Sequence, residues 1–322
     1  MRLFPVRPKC CRLHNRRTEC GRLRTPANNL DGAWEDDFSG TASWAVYCEL
    51  FGAGFPQAFR PDEADLFLLT GNTVYDYSEA ELCDIFRRGV YCDAATLRGL
   101  ERRGLSRLAG FRCGERFRED AVEVLTAHPI NGTDAGCRRD GRLSFARFWG
   151  DDGGVFALEP VPGMEPHCET LAELHDYADA ALAPCSMGIC TNELGGRVAA
   201  AGYYPASNLL FAFKLRQLRN IFNTLGNAGA MSAYINSCHR RRIFVRHDPL
   251  RRRAVIELAN ASEDPAESVV LCVRGGASPA LLTADDLRQT ELPVHSRRCG
   301  TAQYVIRHLA PWSVSLLEVP IG

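Results

Sequence analysis

A chain of 322 residues with 46% hydrophobic content can bury the cores of about two domains. Its formal net charge of −1 supplies no overall field to draw in nucleic acid or an anionic membrane. No run of about 18 apolar residues occurs, so no transmembrane helix is expected, and no 7–15-residue apolar stretch opens the chain as a secretion signal would.

Of the 38 basic residues only Lys9 and Lys214 are lysine. Such an arginine bias reads as a codon preference, so arginine clusters alone do not mark phosphate sites. The 14 cysteines contain no C-x-x-C; the pairs Cys10–Cys11 and Cys185–Cys190 have neither zinc-ribbon nor finger spacing. Scattered thiols in a cytoplasmic protein are the expectation, without metal or cofactor. Asn131 and Asn260 open glycosylation sequons that carry no weight without a secretion signal.

Residues 1–40 read as a basic leader without a folding role. Arg2, Arg7, Lys9, Arg12, Arg16, Arg17, Arg22 and Arg24 face the single acid Glu19 over the first thirty positions, with Phe4 alone among them and no aromatic series for base stacking. Ser43–Phe51 reads as a helix with Trp44, Tyr47 and Phe51 on one face, followed by an extended piece at Phe55–Phe59. Asp65–Thr70, DLFLLT, is a continuous apolar run ending at a Gly71-Asn72 turn, as in a parallel strand buried on both faces. Ser78 with Glu81 forms a capping box, predicting a helix to about Arg88 with Gly89 just past its end. Asp93 caps a second helix over Ala94–Arg103 that stops at Gly104. Helix, strand and helix joined by short turns indicate an α/β layer, doubly wound or a piece of one, over residues 41–120.

Residues 121–240 read as mixed strands with one long helix. The strands are Val122–Thr126, Leu143–Trp149, Val155–Leu158 and Cys168–Leu174, with a hairpin over Ile189–Tyr204 turning at Gly195-Gly196. The helix spans about Asn208–Leu225 and ends at Gly226. Whether these strands extend the α/β sheet or join the last domain stays open at this level. Over residues 241–322, the strands Arg242–Arg246, Ala254–Ala259, Ser268–Val273, Gln303–Leu309 and Ser313–Val319 have the pattern of a small β-sandwich.

The search for chemistry finds little. No G-x-S-x-G elbow, phosphate loop or dinucleotide fingerprint is present, and Gly150–Gly154 is an acidic turn. Thr70 lies at a strand-to-turn position but has no identifiable base, and reads as structural. Glycosidic cleavage needs two carboxylates about 5–10 Å apart; Glu165, Glu169 and Glu193 lie in the β-rich half without converging in sequence. The histidines His14, His128, His167, His175, His239, His247, His295 and His308 are scattered. His239 and His247 flank Arg240–Arg242, which reads as a solvated hairpin end. Of the tryptophans that could stack on sugars, Trp34, Trp44, Trp149 and Trp312, both Trp44 and Trp312 sit in apolar patterns and read as core. No catalytic, cofactor or metal residue is nominated.

Five ordered segments carry a resemblance. These are LLTGNTVYDYSEAEL (68–82), RRGVYCDAATLRGLERRGL (87–105), GGRVAAAGYYP (195–205), FKLRQLRNIF (213–222) and VIELANASEDPA (255–266). Together they resemble the region C-terminal to the barrel in bacterial glycoside-hydrolase-like proteins related to family 42 β-galactosidases. The resemblance implies an amidotransferase-like, flavodoxin-like α/β domain, often used in trimer formation, followed by a β-sandwich. Within it, Asp65–Gly71 would be a core strand, Gly89–Asp93 the following turn and Gly196–Pro205 a hairpin strand. It also implies that the catalytic acids belong to a TIM barrel, which takes at least about 200 residues, more than precede the α/β segment here.

The expectation is therefore an accessory or assembly region, encoded without its barrel and inactive by itself. Its expected partners are a carbohydrate and either copies of itself or a separate barrel subunit, with neither nucleic acid nor membrane. The alternatives are a stand-alone carbohydrate-binding protein, with Trp149 beside the Gly150 turn, and an independent hydrolase using Thr70 or Cys92 as nucleophile.

Overall fold

The computed structural model describes residues 13–14, 53–54, 64, 66–69, 71–117, 121–140, 155–203, 211–226, 232–236, 241–248, 250–284, 286–298 and 300–321. Outside these lie the rest of the basic leader, the expected helix Ser43–Phe51, the pieces Phe55–Phe59 and Leu143–Trp149, the Gly150–Gly154 turn, and Thr70, Trp34, Trp44, Trp149 and His239. The chain divides into two units: one comprises His14–Trp44 and Arg60–Ala228, the other Met1–Leu13, Ala45–Phe59 and Gly229–Gly322.

The first unit begins with β1 (Leu66–Leu69), whose four side chains are all buried. A 3₁₀ helix over Gly71–Asp76 follows, where a tight turn is expected from sequence. Helix α1 (Glu79–Ile85) starts at Ser78, whose side chain accepts the Glu81 amide while Glu81 accepts the Ser78 amide in return. The helix stops at Phe86, because Gly89 is the first residue of β2 (Gly89–Cys92), not a cap or a turn. β2 lies parallel to β1, with Leu66 opposite Gly89. Asp93 then caps α2 (Ala94–Arg102) by accepting the Thr96 amide at 2.8 Å, and Gly104 turns the chain with φ of 70°.

From there the chain adds β3 (Phe111–Phe117), β4 (Val122–Leu125), β5 (Arg138–Asp140), β6 (Val155–Pro160), β7 (Cys168–His175), β8 (Ala181–Thr191), β9 (Arg197–Ala201) and helix α3 (Ala212–Leu225). The main sheet runs in the order β1-β2-β9-β8-β7-β4-β5, and β3 pairs with β6 separately. Only β1, β2 and β9 are mutually parallel. The pairings of β8 with β9 and β7, of β7 with β4 and of β4 with β5 are antiparallel.

This overturns the expected α/β, flavodoxin-like domain. Among the described residues strand makes up 50% and helix 21%, and the sheet curls into a half-barrel, whereas an ordinary globular protein has about 20–25% strand. The reason is local. The segment β1-α1-β2 is a genuine parallel crossover, but after α2 the successive pairs β4–β5, β7–β8 and β8–β9 are antiparallel, as hairpin connections require.

The hairpin β8–β9 is fixed by buried Asn192. Its Nδ2 donates to the carbonyls of Phe86 at 2.7 Å and Leu108 at 2.9 Å, and its Oδ1 accepts the amides of Leu194 and Gly196. Gly196 passes so close to the end of α1 that a Cβ there would overlap the Phe86 carbonyl oxygen.

The second unit consists of β10 (Ala233–Ile235), β11 (Arg242–Asp248), β12 (Arg253–Asn260), β13 (Ala266–Arg274), β14 (Ala280–Thr283), β15 (Gln289–Leu292), β16 (Ser296–Arg298), β17 (Thr301–Leu309) and β18 (Ser313–Pro320). One sheet runs β16-β17-β13-β10 with Ala53–Gly54 beyond β10, and the other runs β11-β12-β18-β14-β15. Burial alternates residue by residue along β12 and β18. The inner faces share one core built from Ile243, Ile256, Leu258 and Leu317 of one sheet and Leu271, Tyr304 and Ile306 of the other.

Gly196→Ala is expected to destabilise the first unit by about 1–3 kcal/mol through overpacking against backbone that cannot yield, whereas Gly136→Ala, with open space around its Cβ, pays only for its positive φ. Thermal unfolding followed by circular dichroism checks the ranking; equal losses at the two sites would contradict the close approach.

Candidate functional site

The densest chemistry in the first unit surrounds Glu123 on β4, a position that the sequence reading did not single out. Glu123 stands directly opposite Arg139 of β5, and Arg139 Nε donates to its Oε2 at 2.5 Å. Lys214 of α3 places Nζ 3.1 Å from the same oxygen. Oε1 accepts from the Tyr203 hydroxyl at 2.8 Å and from Ser186 Oγ at 2.9 Å. The side chains of Glu123, Arg139 and Lys214 are all fully buried. Each carboxylate oxygen thus has two partners, which fills its acceptor capacity.

A second shell fixes the first. Lys214 also donates to Gln217 Oε1 at 2.5 Å, one helical turn along the same face. Gln217 Nε2 donates to Asn131 Oδ1 at 2.7 Å, and Asn131 Nδ2 donates to the carbonyls of Thr126 and Leu171, both at 2.8 Å. Arg216 grips Asp134 through two bonds, 2.8 and 2.5 Å. The Arg139 guanidinium lies 4.5 Å from the centre of the Tyr203 ring, a cation–π distance.

Burial is the largest influence on Glu123 and opposes its charge. Arg139, then Lys214, then the Tyr203 hydroxyl outweigh it and hold the carboxyl at about 2. Burial pulls Lys214 down to about 8, against the attraction of Glu123 and with the repulsion of Arg139. Burial, followed by the Glu123 charge, pushes the Tyr203 phenol well up. An acid ionised throughout the ordinary pH range cannot deliver a proton, and one with both oxygens saturated cannot take one from a substrate. The cluster is therefore a structural charge centre tying β4, β5, β8 and α3 together.

The carboxylates considered from sequence lie elsewhere. Glu193 is exposed and paired with Arg107, whose hydrogen bond holds it below the usual carboxylate range; Glu165 also acts on Arg107. Glu169, also exposed, meets His128 Nε2 at 2.9 Å. His175 contacts Glu173 and Asp179, and His308 contacts Glu267. Cys92 is fully buried, and burial followed by the Asp93 charge pushes its thiol well up, so it stays protonated and unreactive. Trp312 is a correction: it is not core but 70% exposed.

Eight cysteines among the described residues are free thiols. Cys168 and Cys190 stand directly opposite each other across β7 and β8. Among the described residues, no three His, Cys, Asp or Glu side chains gather as a metal site, and no helix is long and apolar enough to cross a membrane.

No family model matches the sequence, and no curated protein matches it either. The fold is similar to that of an α-L-fucosidase isoenzyme 2 from Paenibacillus thiaminolyticus, with 12% identity and a TM-score of 0.50 over 85% of this chain and 44% of that one. The chain thus spans less than half the length of the fucosidase. A cytoplasmic protein STM1381 from Salmonella typhimurium LT2 gives 12% identity and a TM-score of 0.36 over 56% of this chain and 79% of that one. A cycloisomaltooligosaccharide glucanotransferase from Paenibacillus sp. gives 12% and 0.20 over 33% and 20%. The two lower scores carry no argument, and the first is a likeness of fold.

Glu123 supplies stability that is complete above pH 4.5 and lost as pH falls toward about 2. Lys214 has the same slope in a higher window: its buried ammonium is disfavoured, so stability rises as pH rises from about 8 to 10.5. Glu123→Gln, which strands two buried cations, is expected to cost about 3–5 kcal/mol at pH 7 and to flatten the acid limb. Lys214→Met, which leaves the Arg139–Glu123 pair intact, is expected to cost less. Urea unfolding at pH 3, 5, 7 and 9 measures both; a Glu123→Gln chain as stable as the parent would refute the structural role.

Proposed function

We propose that this chain is the non-catalytic accessory region of a glycoside-hydrolase-like protein, serving assembly or sugar contact. The observation that carries the reading is the fold likeness, which takes in 85% of this chain but only 44% of the fucosidase. It keeps the carbohydrate-related part of the resemblance drawn from the sequence, although the α/β domain which that resemblance implied is not the one present. The Glu123 centre supports it from the chemical side, since that carboxylate is fully buried, has partners on both oxygens and is held at about 2. On this reading the catalytic acids come from a barrel on a separate polypeptide or on a longer form of the protein, and copies of this chain assemble with it.

Purified protein incubated with aryl α-L-fucosides, β-D-galactosides and β-D-glucosides is expected to release no phenol above the uncatalysed rate. Turnover that disappears when one of its own carboxylates is replaced would overturn the proposal.

A further inference from the structure

Strands β7 and β8 bring together two thiols that lie far apart in the chain. Sequence spacing sets Cys190 beside Cys185, but the sheet sets it directly opposite Cys168. Residues facing each other on antiparallel strands project to the same side, with Cα atoms about 4.5 or 5.5 Å apart. A disulfide takes about 4.4–6.8 Å between Cα atoms, so this register falls within its reach.

Both sulfurs meet the backbone at one point. A Cβ built on Gly110 would stand 2.3 Å from Cys190 Sγ and 3.5 Å from Cys168 Sγ, so the pair rests on a bare α-carbon. Cys168 Sγ also donates to the Gly110 carbonyl at 3.4 Å. Gly110 is itself held, its amide donating to the Ser106 carbonyl at 3.1 Å and its carbonyl accepting the Val161 amide at 2.9 Å. Its φ of 76° suits glycine and is costly for other residues. Two positions beyond Cys190, Asn192 anchors the hairpin to the Leu108 carbonyl. The support under the two sulfurs is therefore fixed.

The two thiols are also hydrogen-bonded to each other, and that contact separates Cys190 from other buried cysteines. Burial pushes the Cys185 thiol up to about 12 and the Cys92 thiol well up. At Cys190 the hydrogen bond from Cys168 outweighs burial and lowers the thiol. The same bond, followed by burial, pushes Cys168 up, so a pair that has lost one proton keeps the other between its two sulfurs. Access is unequal: Cys168 is partly exposed and Cys190 is buried. The first meets a reagent from solvent and the second stands behind it, as an attacking and a resolving thiol do.

We propose that Cys168 and Cys190 form a reversible thiol–disulfide site, oxidised by low-molecular-weight disulfides, that fastens β7 to β8. In the first step Cys168 passes its proton to the Cys190 thiolate and attacks one sulfur of the reagent. The reagent's S–S bond breaks, one half leaves as a thiolate, and Cys168 carries the other half as a mixed disulfide. In the second step Cys190 gives its proton to the departed thiolate and attacks Cys168 Sγ. The second half then leaves as a thiolate and takes up the proton that the pair had first lost to water. Two protein thiols are oxidised by two electrons, and one reagent disulfide is reduced to two thiols. The site stands independently of the carbohydrate-related reading.

The test equilibrates the full chain with mixtures of reduced and oxidised glutathione, quenches with an alkylating agent and maps the peptides by mass spectrometry. The expected result is a peptide pair joined through Cys168 and Cys190 that dithiothreitol separates. A Cys190→Ser chain is expected to stop with glutathione on Cys168. The linked parent is expected to melt about 5 °C or more above its reduced form, because the bond closes the loop between the two cysteines in the unfolded chain. The parent's own map decides the link even where a variant fails to fold. Glutathione on Cys168 of the parent without a link to Cys190 would overturn the site, as would both thiols staying free in the most oxidising mixture. A link from either one to a different cysteine in the folded chain would overturn it as well. A melting temperature that linkage leaves unchanged would overturn the fastening.

Discussion

The first unit depends on a carboxylate that never meets water. Glu123 sits on a short strand near the antiparallel edge of the sheet, and the groups that hold it come from β5, β8, the end of β9 and α3. A lone buried charge is prohibitive, and a buried pair is worth its desolvation only when every oxygen and proton finds a partner. Here both carboxylate oxygens do. The cost of failure is steep, so the elements that supply those partners are fixed relative to one another, and α3 must dock on the sheet in a single register. The Gln217–Asn131 and Arg216–Asp134 contacts extend that constraint to the 3₁₀ helix at Pro129–Asp134.

Local signals in the sequence were legible where one residue type has one physical job. The Ser78–Glu81 box, the Asp93 cap, the glycine at 226 and the alternating strands of the second unit all appear in the structure close to where their chemistry puts them. Layer architecture was not legible. Leu66–Leu69 and Gly89–Cys92 do form parallel strands buried on both faces, but two such strands cannot reveal that the later ones return by hairpins and turn the sheet into a mostly antiparallel half-barrel. Gly89 looks like a helix cap because a glycine after a helix usually is one; it is a glycine because α3 passes over it, with the Leu225 carbonyl where a Cβ would stand.

The charge centre was hidden for a related reason. An acid within Val122-Glu123-Val124 reads as the solvent side of an alternating strand, and only tertiary structure shows that this side is covered. One trace did exist. In a chain that otherwise uses arginine almost exclusively, Lys214 is the exception that lies in the folded region, and lysine, unlike arginine, can give up its proton when buried. Trp312 misled in the opposite direction, because it is embedded in an apolar sequence, and its exposure follows from a left-handed backbone that no local pattern announces.

The direct test of this account is the ionisation of Glu123 itself, followed through the side-chain carboxyl resonance of protein labelled with ¹³C at glutamate Cδ. The account predicts a shift that stays at its ionised value from neutral pH down to the onset of acid unfolding, below the 4.5 of a free glutamate. A Glu123 resonance that titrates at or above 4.5 while the protein remains folded would contradict it, and would return Glu123 to the list of groups able to carry a proton.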